Sequence, residues 1–418
     1  MHLRIQAYAA LVICLLLTPE TYGAEKKSQP KQLQTGTLGG VPNPDKAALL
    51  AMHKGSYILH ARGGKMTPVA AEKSRLPQDP KGLHQSMAYG GAAIAPDGAI
   101  YVKQPTLMCK STDGGRTWAS YAHGLYDASS YTHFQILKDG TFIAVGIPLG
   151  EGERTWSMPA KVWTSSDEGR NWQETAEIPW PAKFNGVEYE KWNATYSLHI
   201  LSDGTVLWAA KLFNTVNTTS PPYKKVLALY RSGDGGKSWQ GPSAFVDWSS
   251  EGGIARMASG KLLATVRYQR PLLSDDPPDL CDGRTWGGCN YSPFMESTPY
   301  KHIFQIESHD EGRTWTNFRQ LTTTLGQCYG FPAALSHGTV VLVHVTHYGP
   351  GPRGSRAMIS HDEGQTWEDE VYYLDFSEPS GYNQSLVLED DTILTISARN
   401  DNEITAIRWK PVKNKEKR

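Results

Sequence analysis

Apolar and polar positions alternate along this chain in short runs that come in pairs, and each pair meets at a turn dipeptide. Ala92–Ala95 and Ala99–Val102 flank Asp97-Gly98, Phe134–Lys138 and Thr141–Val145 flank Asp139-Gly140, and Ser197–Ser202 and Thr205–Ala209 flank Asp203-Gly204. The arrangement returns around Ser259-Gly260, His337-Gly338 and Asp390-Asp391. Alternating runs rich in β-branched residues predict strands, and the dipeptides predict two-residue hairpin turns. Helical periodicity is nearly absent.

A second pattern interleaves with the first. Ser111-Thr-Asp113-Gly-Gly-Arg-Thr-Trp118 recurs at Ser165–Trp172, Ser232–Trp239, Ser308–Trp315 and Ser360–Trp367, as S-x-D-x-G-x-[TSN]-W. Asp accepts from backbone N–H groups just ahead and closes a tight turn, Gly supplies a positive φ, and Trp covers the turn. Each hairpin but the sixth is followed by one such turn. A repeated four-strand unit predicts a propeller blade, and six hairpins predict six blades. The sixth, which ends in the unstapled Glu403–Lys410, is expected to be closed by an N-terminal strand, Ser56–Arg62.

This combination resembles the sialidase (neuraminidase) superfamily, whose bacterial-type members carry the turn pattern as Asp boxes on a six-bladed, all-β propeller. The resemblance covers about 50–411 and is specific for the fold. It says little about chemistry, because the boxes sit on outer turns away from the central channel.

Composition narrows the picture. Met1–Gly23 reads as a secretory signal peptide, 24–50 as a polar linker, 51–411 as the propeller and 412–418 as a basic tail. The implied location is secreted or periplasmic, with no membrane span once the leader is cleaved. The 42 basic and 42 acidic residues balance, which points away from nucleic acid. Past the leader stand Cys109, Cys281, Cys289 and Cys328, which allow three connectivities. Export permits disulfides, and Cys281–Cys289, bracketing one short loop, is the favoured pair. Metal-ligand spacings are absent, so no metal and no cofactor are expected.

The hairpins supply a common ruler for the channel. Eight residues before the first turn residue stand Tyr89, Tyr131, Thr195 (beside Tyr196), Glu251, Tyr329 and Tyr382. Seven residues after the second stand Pro105, Ile147, Lys211, Arg267, Val345 and Ala398. Tyrosines with one carboxylate at one height suit the gripping of a sugar. Arg353 and Arg356 precede the fifth stapled turn, and His347 lies near the same end.

The family resemblance implies roles for some of these. Glu251 with Arg267, Arg356, and Tyr382 in Gly381-Tyr-Asn-Gln-Ser-Leu are similar to parts of the sialidase site. Tyr382 would be the nucleophile, Glu251 its base, and Arg267 and Arg356 the partners of a substrate carboxylate. Two family parts are missing. Met87–Ala92 holds no arginine, and Tyr101–Lys110 holds no acid. Asp127, Glu188 and Glu190 are substitute acids, each also readable as a loop charge. His133 and His199 read as structural. The insertion 271–300 carries Trp286 and Tyr291, a possible stacking platform. The expected partner is a glycan or polysaccharide. The leading function is a sialidase-like glycoside hydrolase, against a non-turnover glycan binder or a polysaccharide lyase on a similar scaffold.

Overall fold

The computed structural model describes residues 37–412, apart from 39–40, 43, 81–90, 126–131, 148–157, 182, 190, 214–224, 271–275, 277–299, 323–325, 347–353, 377–381 and 399–402. Within described strands, only the backbone is described for residues 37–38, 41–42, 191–196, Ala244, Cys328 and Tyr382.

The protein is all-β in a propeller-like arrangement, with one helix among the described residues. Four antiparallel sheets of four strands span Ala92–Ala122, His133–Ile178, Lys191–Asp247 and Ser249–Gln320. A nine-stranded sheet runs from Gln327–Ala334 at one edge to Tyr382–Val387 at the other, and two short two-stranded sheets, Thr37–Leu38 with Val41–Pro42 and Lys183–Phe184 with Val187–Glu188, complete the described strands. The first strands of successive hairpins lie beside one another in cyclic order, and Tyr382–Val387 lies beside Ala92–Ile94. They are therefore the innermost strands. Leu207, Leu227, Leu229, Leu262, Ala264 and Val266 form one of the apolar layers between neighbouring sheets, and such burial supplies about 25 cal/mol per Å².

The N-terminal closure differs from the expectation. Tyr57–Arg62 pairs with Glu370–Tyr373, extending the strand run of the fifth hairpin. The following strand, Lys65–Arg75, turns back and pairs with Ile404–Trp409. Closure thus falls to 65–75 rather than 56–62, because the two strands form a hairpin that bridges the ends of the ring. Across the end of the 24–50 stretch read as a linker, Lys46–Lys54 forms a helix capped by Asp45, whose Oδ1 accepts from Ala48 N. Its Leu49 and Met52 are buried against Val371 and Tyr373. About two and a half turns is too short for its periodicity to be read in sequence.

The hairpin turns are also one residue longer than expected. In each, a β-turn N–H bond is followed by a wider one: Gly98 N donates to Ala95 O and Ala95 N to Ala99 O, and likewise through Leu388, Asp391 and Thr392. Gly98 has φ 84° and Asp391 φ 60°, the bulge position of a three-residue loop. In the stapled turns Asp310 accepts from Ser308 Oγ at 2.8 Å, Arg313 N at 3.0 Å, Thr314 N at 2.8 Å and Thr314 Oγ1 at 2.6 Å. Asp113, Asp167, Asp234 and Asp362 are held in the same way. The bond to the second carboxylate oxygen explains why the penultimate position is Thr, Ser or Asn. Two consecutive residues take positive φ, and the first is Gly114 or Gly235 in two turns but Glu168, Glu311 or Glu363 in the others.

Candidate functional site

Glu251 stands where its ladder slips. Ser249 pairs with Tyr268 and Gly252 with Val266, so Ser250 and Glu251 bulge opposite Arg267. Bulges re-aim side chains. Arg267 Nη1 donates to both Glu251 oxygens, at 2.6 and 2.7 Å, and the two residues are 7 % and 3 % exposed. A pair this buried is held by mutual charge and pays for its desolvation only through such close geometry. The two glycines that follow let the next inner strand approach. A Cβ on Gly253 would lie 2.3 Å from Phe331 Cδ1.

The fifth hairpin brings Tyr329 and Arg356. Tyr329 is fully buried with φ 58°, at a second bulge, between Cys328 (paired with Val345) and Phe331. Arg356 is buried, pairs in register with His344, and lies 5.2 Å from the centroid of the Tyr373 ring. His344 is pulled down to about 3, by burial first and then by Arg356. Tyr382 opens the innermost strand of the sixth hairpin, in register with Ala398. Its neighbour Asn383 donates to Ser355 Oγ at 3.1 Å, which lies 3.3 Å from Ser397 Oγ. The strand starts that carry Arg356 and Tyr382 are therefore joined side by side. The strand of Tyr329 lies between those of Glu251 and Tyr382 in the ring.

Tyr89, Tyr131, Arg353, His347, Cys281, Cys289, Trp286, Tyr291, Asp127 and Glu190 lie outside the described residues. Cys109 is a buried free thiol, pushed up to about 12 by burial. Glu188 is exposed on a two-stranded hairpin. His133 is buried and His199 half-buried; desolvation lowers His199 to about 4 and His133 well below its ordinary value, so both are neutral at pH 7. Among the described residues no group of three or more His, Cys, Asp and Glu is arranged to hold a metal, and no helix is long and apolar enough to cross a membrane.

Two groups escaped the sequence reading. The loop after the first hairpin has no acid of its own, yet Asp79 reaches it from upstream. Its carboxylate accepts from Thr106 N at 2.6 Å, Thr106 Oγ1 at 2.8 Å and Leu107 N at 3.0 Å. Three donors suit a brace for the loop better than a proton donor. No sequence signal links Asp79 to that loop. The second group is a set of lysines, Lys211, Lys225 and Lys301, near Arg267. Lys211 had a signal, since it sits at the same hairpin offset as Arg267.

No family model matches the chain, and no curated protein matches its sequence. Solved structures do. A protein of unknown function from Dyadobacter fermentans matches with TM-score 0.55 at 17 % identity, over 81 % of this chain and 98 % of that one. The likeness carries the fold. The α-L-arabinanase of Penicillium chrysogenum, solved with arabinobiose, matches with TM-score 0.54 at 14 % identity, over 81 % of this chain and 98 % of its own. A Hadza microbial sialidase matches at TM-score 0.48 and 18 % identity, over 78 % of this chain and 66 % of its own, too loosely to add an argument. At these identities the likenesses with TM-scores above 0.5 carry the fold alone.

Proposed function

We propose that this chain is a secreted or periplasmic glycoside hydrolase of sialidase-like type. In this reading the nine-stranded sheet counts as two blades joined by the Tyr57–Arg75 hairpin, which makes six, and the stapled turns are Asp boxes. Tyr382 is the nucleophile and Glu251 its base. Arg267 and Arg356, with Tyr329, Tyr89, Tyr131, Arg353 and His347, contribute to binding. The observation that supports it most is the buried Glu251–Arg267 pair at the start of an inner strand, two strands along the ring from Tyr382. Arg267 keeps the carboxylate oriented, and a Tyr hydroxyl, ordinarily near pKa 10, needs such a base to attack an anomeric carbon.

The test is turnover of fluorogenic α- and β-glycosides and of polysaccharides, read as released sugar. Tyr382→Phe should lower kcat at least ~100-fold with little change in KM. Unaltered kcat in Tyr382→Phe would overturn the nucleophile assignment. A second reading, a glycan binder without turnover, is favoured by Asp79, whose three hydrogen bonds leave the acid role without an evident holder. Retained glycan binding with no released sugar across the panel selects it.

A further inference from the structure

The strand that begins at Tyr382 is fastened to both of its neighbours in the ring by its next two side chains. On one side Asn383 Nδ2 donates to Ser355 Oγ at 3.1 Å, and Ser355 opens the strand of Arg356. On the other side Ala92 N donates to Gln384 Oε1 and Gln384 Nε2 donates to Ala92 O, both at 3.0 Å. Ala92 opens the innermost strand of the first hairpin, so Gln384 joins the last hairpin to the first. The ladder explains why the Ala92 groups are available. Lys103 N donates to Gly91 O at 2.6 Å, and Ala92 stands in register with Val102. Bonded and open pairs alternate along an antiparallel ladder, so Ala92 and Val102 form an open pair. The N–H and C=O of Ala92 therefore point away from their own sheet, on its inner edge. A carboxamide offers one donor arm and one acceptor arm, much as a peptide does, and Gln384 stands in for a neighbouring strand.

Placement, more than stability, is what these amides provide. Asn383 is 1 % exposed, and its Oδ1 accepts no bond from the described residues. A buried acceptor left unmet costs free energy that an apolar side chain of similar size would not. Hydrogen bonds are directional, whereas apolar contacts slide. Asn383 fixes the strand toward Arg356, and Gln384 fixes it toward the first hairpin. Both restraints act within two residues of Tyr382.

We infer that Gln384, together with Asn383, is a positioning residue for Tyr382, holding the start of its strand at one height and one lateral place where the last hairpin meets the first. This rests on the reading of Tyr382 as the nucleophile. A nucleophile that drifts by a fraction of an ångström loses turnover, while the groups that grip the sugar stay where they are. The loss therefore falls on kcat rather than on KM.

The experiment uses the full chain and a panel of 4-methylumbelliferyl α- and β-glycosides, followed on whichever the native chain hydrolyses. Gln384→Met keeps the length of the side chain and loses the amide. Gln384→Glu donates and accepts as the amide does while its carboxyl is protonated, and as a carboxylate it meets the Ala92 carbonyl with no proton to give. Each variant is assayed well below its own melting temperature, so that unfolding does not enter kcat. Gln384→Met should lower kcat about tenfold at every pH, with KM within about twofold. Gln384→Glu, taken as a ratio to the native chain at each pH, should stay within about threefold while protonated. Its ratio should fall toward that of Gln384→Met as pH rises and the carboxyl ionises, above about 4.3. This profile decides the matter if Gln384→Met does not fold. A native-like kcat in Gln384→Met, a loss carried by KM alone, or a Gln384→Glu ratio indifferent to pH overturns the inference and leaves the glycosidase reading standing. A native chain that releases no sugar from any member of the panel overturns both.

Discussion

Arg267 reaches both oxygens of Glu251 through a single nitrogen, Nη1, at 2.6 and 2.7 Å, across a slip in the ladder that pairs their strands. The register that runs from Arg256–Leu262 to Gly252–Val266, carried one step further, sets Glu251 opposite Arg267, and the ladder slips just beyond, where Ser249 meets Tyr268. Removing either partner should strand a buried charge. Arg267→Met alone should cost about 3–5 kcal/mol, and Arg267→Met with Glu251→Gln should recover part of that loss. Urea unfolding of the two variants measures it. A double variant as unstable as the sum of the singles would show that the pair is not coupled.

The stapled turns are stabilised locally. Asp310 holds four hydrogen bonds from three residues of its own turn. Asp310→Ala should lower stability by about 1–3 kcal/mol, and Asp310→Asn by less, since the amide oxygen still accepts. Thermal melts of both variants check the order. Equal melting for Asp310→Ala and the native chain would show the staple to be dispensable.

Gly253 sits against the neighbouring inner strand. A methyl there would approach Phe331 Cδ1 to 2.3 Å and Phe331 Cα to 3.1 Å. The backbone atom cannot yield as the ring can. Gly253→Ala should therefore cost about 1–3 kcal/mol, and Phe331→Leu in the same chain should relieve only part of it. Chemical unfolding of single and double variants supplies the comparison. A stable Gly253→Ala would mean that the strands separate without loss.

Buried lysines set an alkaline prediction. Burial lowers Lys73, Lys103 and Lys211 to about 8 and Lys225 further, from an ordinary 10.5. Between pH 8 and about 10 the unfolded chain binds more protons than the folded one, so these groups make stability rise with pH. Above about 10 the buried tyrosines reverse the trend: Tyr189 is pushed up to about 12, and Tyr121, Tyr230 and Tyr372 higher still, so unfolding releases their protons. Melting temperature should be higher at pH 9.5 than at pH 8. A melting temperature that falls steadily over that interval would contradict the assignment of buried lysines.

The turns and the run of strands were legible in sequence because the bonds that make them are local. Ser308, Asp310, Gly312 and Thr314 satisfy one another within a few residues, so their order along the chain is enough to specify them. The hairpin ruler worked for the same reason. It brought Tyr382 opposite Ala398 and set Glu251 against Arg267, since offsets from a turn translate directly into register. Which strand closes the ring was beyond that logic. Ser56–Arg62 read as the closing strand, but its residues Tyr57–Arg62 pair with Glu370–Tyr373, which left Lys65–Arg75 for Ile404–Trp409. Partners more than 300 residues apart are chosen by how the whole ring shuts. Asp79 and the lysine cluster belong to that class too. Each draws its meaning from groups delivered by other strands: a hairpin offset marked Lys211, but the gathering of Lys225 and Lys301 near it and Arg267 was decided by the tertiary structure, through proximity that no spacing along the chain encodes.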